Sequence, residues 1–209
     1  YEVTWSEWVE VRDWALANGY VAAENQSSLT WPGWVVVSSG DQAVASVSFL
    51  DAVLWCNARS EKEGLVPVYR NWDGAVLRSG SDEFARRQVG ANGYRLPFEA
   101  EWEWAARGGV KSGGFTFSGS DRLEEVWADT SLTTEVGRKL ANELGIFDLS
   151  GNLGEWCQRW ADNAWSYRAG IRGASRIDNY SLDQLLRHDG PVIPQVESWT
   201  RERQFGLRV

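Results

Sequence analysis

Apolar residues recur at helical spacing in three stretches of the chain. Thr4-Trp5-Ser6-Glu7 has the form of a capping box, and Trp5, Trp8, Val9, Ala15 and Leu16 follow on a helical repeat that Gly19 ends. This pattern predicts a first helix over residues 5–18, with Arg12 its one charged interruption. A second helix opens at Ser48, where Asp51 completes a similar box. Its inner stripe is Phe49, Ala52, Val53 and Cys56, and Gly64 closes it. Pro97 suits the start of a third helix over 98–107, with Gly108-Gly109 at its end. Trp102 and Ala105-Ala106 share one face there, and Glu99, Glu101 and Glu103 load the early turns favourably for the helix dipole.

Between these helices the pattern is polar and aperiodic. Residues 20–46 read as loop around one short strand at Trp34–Val37. Residues 66–72, Asp73-Gly74 and 75–77 predict a hairpin closed by a type I′ turn. Residues 108–147 are rich in glycine and polar side chains, with Phe115, Phe117 and Trp127 as anchors. Beyond Trp160 the strand candidates are 168–175, Leu185–Leu186 and 205–209. Helices early and short strands late define an α+β fold with much irregular structure, in a single domain over 1–209.

Composition sharpens that picture. Fourteen tryptophans and 21 glycines suit short elements joined by packed loops better than a helix bundle. The net charge of −8 argues against a nucleic-acid partner or direct attraction to an anionic membrane. Two cysteines, Cys56 and Cys157, each follow a tryptophan in a core-like segment and read as buried thiols rather than a bridge. No run of apolar residues is long enough to span a bilayer. The chain does not begin with Met, so its amino terminus is read as processed or trimmed, and any signal or lipid-attachment segment would lie outside it.

The densest candidate chemistry lies in residues 148–160. Small turn-forming residues (Ser150, Gly151, Asn152, Gly154) stand there among the acids Asp148 and Glu155 and the indoles Trp156 and Trp160. Glycines that take positive φ can turn backbone carbonyls onto one point, and with the two acids these would make an all-oxygen pocket for a hard cation such as calcium. The same residues also read as a turn feeding a buried strand, with Asp148 capping and Glu155 paired to an arginine.

Tyr94-Arg95-Leu96-Pro97, Glu99-Ala100-Glu101-Trp102-Glu103, Ala105-Ala106-Arg107-Gly108-Gly109, Asn142-Glu143-Leu144-Gly145, Gly151-Asn152, Glu155-Trp156, Arg172-Gly173 and Phe205-Gly206-Leu207-Arg208-Val209 occur in one order along the chain. Together they resemble the formylglycine-generating enzyme (sulfatase-modifying factor) family over essentially the whole sequence. The resemblance implies a C-type-lectin-like fold, with two main helices flanking a small antiparallel sheet and long ordered loops. It also implies a structural calcium held by the side chains of Asp148 and Glu155 and the carbonyls of Gly151 and Leu153.

Active members place two cysteines, five residues apart, beyond the strand matched here by Arg172-Gly173-Ala174-Ser175-Arg176; they bind copper and oxidise a substrate cysteine. Those positions fall on Asp178 and Asp183, with Arg187 matching the family's arginine beyond. Carboxylates are hard ligands without a thiol redox couple, so neither copper nor oxidase chemistry is expected. A related branch uses a histidine-rich iron site, and His188 is the one histidine of this chain.

Residues 175–204 keep the family's frame but carry an idiosyncratic face: Arg176, Ile177, Asn179, Tyr180, Leu186, His188, Val192, Ile193, Trp199 and Arg201. Tyr, Trp and Arg are the commonest hot-spot residues of binding surfaces. A kept frame under such a face resembles the variable proteins of diversity-generating retroelements, whose carboxy-terminal codons are rewritten by error-prone reverse transcription. Residues 1–8 and Ser60-Glu61-Lys62-Glu63-Gly64 resemble spirochaete (Treponema-type) members. The expected function is non-catalytic binding of a protein or other macromolecular ligand through 175–204, at a bacterial cell surface reached through an amino-terminal lipid anchor. A fixed-specificity, non-catalytic paralogue is the alternative.

Overall fold

The computed structural model describes residues 1–21, 39–79, 86–127, 134–160, 167–173 and 205–209. Its elements in chain order are α1 (Trp5–Ala17), α2 (Phe49–Lys62), β1 (Tyr69–Arg70), β2 (Arg86–Arg87), α3 (Glu99–Ala106), a 3-10 turn (Gly109–Lys111), α4 (Leu123–Val126), β3 (Gly154–Trp160), β4 (Tyr167–Arg172) and β5 (Phe205–Gly206).

Both expected capping boxes form. The Thr4 hydroxyl accepts from the Glu7 amide while Glu7 takes the Thr4 amide, and Ser48 and Asp51 do the same for α2. In α3 the reciprocal half is made by Glu101, which accepts from the Phe98 amide at 2.8 Å. α4 was not legible in the sequence; its four residues anchor a small cluster of Phe117 and Val126.

α2 is more central than a single stripe would make it. Every residue from Phe49 to Asn57 is buried, polar Asp51 and Asn57 included. These polar groups are tolerated inside because they are satisfied. The Asn57 side chain donates to the carbonyls of Tyr69 and Leu77 at 2.8 and 3.0 Å and accepts from the Tyr69 amide at 3.0 Å. One asparagine thereby ties α2 to both arms of the hairpin. α1 lies on the other side of α2, with Trp8 and Trp55 parallel at 5.9 Å between centroids.

The hairpin differs from expectation in its turn and its pairing. The Asn71 carbonyl accepts from the Gly74 amide, and of the turn residues Gly74 alone has positive φ, at 85°. That is a type I turn followed by a left-handed residue, not type I′, which needs two positive-φ positions. Asp73 supplies the alternative by accepting from the Ala75 amide at 2.9 Å. The regular ladder of β1 is made with Arg86–Arg87 instead of 75–77, which contributes one bridge, Arg70 to Val76.

The second sheet has the order β4-β3-β5, antiparallel between β3 and β4 and parallel between β3 and β5. Alternation along β3 splits its side chains between two layers. Trp156, opposite Ile171, faces the α1–α2 core: it packs edge-on against Phe49 and donates from its indole N–H to the Val47 carbonyl at 2.7 Å. Glu155 and Cys157 face α3. β4 and β5 are shorter than the expected 168–175 and 205–209, and Trp34–Val37 and Leu185–Leu186 lie outside the described residues.

Candidate functional site

The turn at 148–154 is built on left-handed backbone, largely at non-glycine positions. Asp148 and Asn152 have φ of 62° and 61°, alongside Gly151 at 133°. Asx residues tolerate this region because their short side chains bond to nearby backbone. Asp148 accepts from the Gly137 amide at 2.6 Å, and Asn152 accepts from the Thr134 amide at 2.9 Å. Gly154, expected to turn, instead opens β3.

β3 then carries Glu155 into the interior, where it is fully buried. Arg208 meets it bidentately: Nε lies at 3.0 and 2.9 Å from the two carboxylate oxygens and Nη2 at 2.6 Å from Oε1. The Trp102 indole donates to Oε2 at 2.7 Å, and Arg208 Nη2 also donates to the Phe147 carbonyl at 2.9 Å. Glu2, buried and with no hydrogen bond to its carboxylate, has its nearest oxygen 3.7 Å from Arg208. Burial holds the Glu2 carboxyl well above the usual carboxylate range, only partly offset by Arg208. Asp148 is also raised by burial.

These contacts bear on the calcium expectation. Of its four positions, Asp148 bonds to a backbone amide, and Glu155 has both oxygens engaged by a guanidinium and an indole. Arg208 and Trp102 therefore compete with a hard cation for Glu155, and calcium at Asp148, Gly151, Leu153 and Glu155 stays a proposal. The sequence offered the arginine pairing but not its partners: Trp102 read as a buried indole on the α3 face, while Arg208 and Glu2 stood out only within family-like stretches.

Glu155 has a second role, in register. It pairs with Arg172 of β4 on one side and with Gly206 of β5 on the other. The chain between those strands, residues 174–204, therefore departs and returns on the two flanks of a single residue, about 10 Å apart across two inter-strand spacings. A glycine marks each end. Gly173 has φ of 77°, and a Cβ on Gly206 would lie 2.6 Å from the Val44 carbonyl oxygen. Arg172 is fixed further by Glu103 of α3 at 3.0 Å.

All ten expected ligand-binding residues (Arg176, Ile177, Asn179, Tyr180, Leu186, His188, Val192, Ile193, Trp199 and Arg201), like Asp178, Asp183 and Arg187, lie outside the described residues. The two cysteines do not. Cys56 sits in α2 and Cys157 in β3, both free, fully buried and in separate core clusters, with burial pushing each thiol up.

The whole chain, residues 1–209, matches the sulfatase-modifying factor enzyme 1-like domain. The chain belongs to the sulfatase-modifying factor (formylglycine-generating enzyme) family. A relative named chaperone protein LppX, from Paenibacillus barcinonensis, is 34% identical over 227 residues, covering 90% of this chain and 73% of its own length. The Bos taurus protein named inactive C-alpha-formylglycine-generating enzyme 2 is 32% identical over 110 residues, 45% of this chain and 36% of its own. Among solved structures, CarF superposes with a TM-score of 0.75 at 28% identity, covering 99% of this chain and 82% of its own. Treponema denticola variable protein 1 superposes with a TM-score of 0.71 at 26% identity, covering 99% and 80%. The family thus includes non-catalytic members, and the fold is its C-type-lectin-like α+β fold.

Proposed function

We propose that this family member is a non-catalytic binding protein that displays residues 175–204 as a diversified ligand surface. The observation that carries the proposal is the double registration on Glu155. Both ends of the segment are fixed by a buried ion pair and by strand pairing that involve no side chain between them. Such a frame tolerates substitution within the segment, because exposed side chains remote from core features change stability by only about half a kcal/mol. The likeness to Treponema denticola variable protein 1 supports the same reading.

Two further facts favour binding over oxidation. The family's redox pair of positions holds Asp178 and Asp183, and the cysteines present are thiols locked in the core, not accessible thiolates. A location at the bacterial cell surface, through an amino-terminal lipid anchor, belongs to the same proposal; no helix among the described residues is long and apolar enough to cross a membrane. The ligand is proposed to be a protein or other macromolecule, since the mixture of aromatic, aliphatic and arginine side chains suits a broad contact.

The test is to sequence the 3′ end of the gene across many cells descended from one clone. Substitutions clustered at codons 175–204 and nearly all traceable to adenines of a nearby template copy are the expected result. A uniform sequence in a strain with active reverse transcriptase overturns diversification and leaves a fixed-specificity paralogue. No part of this reading is routed through calcium. With Arg208 seated on Glu155, thermal unfolding curves in calcium and in chelator are expected to coincide; a higher Tm in calcium supports the metal.

A further inference from the structure

A cavity of about 410 Å³ opens between the start of α3 and the chain after β5, on the face of α3 that carries Trp102 and Ala105. Its described lining comes from residues 93–105, 146–149 and 208–209. Its apolar wall is Pro97, Trp102, Ala105, Ile146, Leu149 and Val209. The charged groups that line it are already matched within the protein. Arg95 holds Glu101 bidentately at 2.6 and 2.7 Å, and Arg208 is held by Glu155. Tyr94 donates its hydroxyl to Glu63 at 2.7 Å and takes the Arg59 guanidinium over its ring at 4.3 Å.

The volume falls at the lower end of the range for small-molecule sites, roughly 300–1,000 Å³. A specific protein interface needs roughly 1,200 Å² or more of buried surface, which a pit of this size does not supply. The lining arginines Arg95 and Arg208 are each held in an ion pair, and the chain's net charge of −8 opposes an anionic ligand. We infer that this cavity is a binding site for an uncharged, largely apolar small molecule of two or three rings.

The test uses the whole chain and the neutral dye N-phenyl-1-naphthylamine, whose emission rises in an apolar site. Saturable binding of one dye per chain is expected. Ala105→Trp, which places an indole in the cavity, is expected to weaken it at least tenfold while circular dichroism and Tm stay near wild type. Should Ala105→Trp fail to fold, Val209→Trp at the exposed rim carries the same expectation. Absence of saturable binding, or binding by the folded filled variant at wild-type affinity, overturns the assignment.

Discussion

At the scale of single residues, Arg208 is the charge on which the interior depends. Glu155 is fully buried, and the guanidinium is the one cation that touches it among the described residues. Removing one partner of a buried pair strands the other's charge, typically at a cost of about 3–5 kcal/mol. Arg208→Met is expected to lower unfolding free energy in urea by that order, and adding Glu155→Gln to recover part of the loss. Glu2 behaves in the opposite sense. Its folded carboxyl is raised above its unfolded value, so the native state retains a proton that the unfolded chain releases. Stability is then lost as pH climbs from the unfolded value toward the folded one. Glu2→Gln is expected to flatten that decline and to stabilise the protein near neutral pH. An unchanged pH–stability profile from about 4 to 7 would count against a neutral Glu2.

At the scale of elements, local signals were legible where they are short-range. Thr4/Glu7 and Ser48/Asp51 define their helix starts within four residues, and the capping chemistry that predicts them is the chemistry observed. The burial of α2 on all sides was not legible. Nothing near Asn57 in sequence says that its amide will close a hairpin 12 and 20 residues away, and a polar residue in a helical repeat reads as solvent-facing. Likewise Asp73-Gly74 predicts a turn, but not that the regular partner of β1 would be the more distant Arg86–Arg87. Asn57→Ala would leave the Tyr69 amide and the Tyr69 and Leu77 carbonyls without this partner in the core. The expected loss is about 3 kcal/mol or more, measurable as a lower denaturation midpoint at unchanged m.

For the molecule as a whole, the family motifs in the sequence already implied the C-type-lectin-like fold. The site was only half legible, because Glu2, Trp102, Glu155 and Arg208 meet from four separate parts of the chain. The same meeting ties down both ends of the segment between β4 and β5. Replacing 174–204 with a Gly/Ser linker long enough to cross about 10 Å is expected to leave a cooperatively folding protein of near-native Tm, since loop-closure entropy changes slowly with length. Loss of cooperative unfolding in that variant would show that the segment belongs to the core.

The position of Arg208 also has a genetic meaning. The residue that neutralises Glu155 is encoded after the segment, and Arg172, paired to Glu103, is encoded before it. Any copying process that rewrites the codons between them must therefore keep faith at both borders. Errors that stray four codons downstream of residue 204 strike an internal counter-ion. Under the diversification proposed above, lineages with sloppy borders would lose the protein itself, and the fold would select for where infidelity begins and ends.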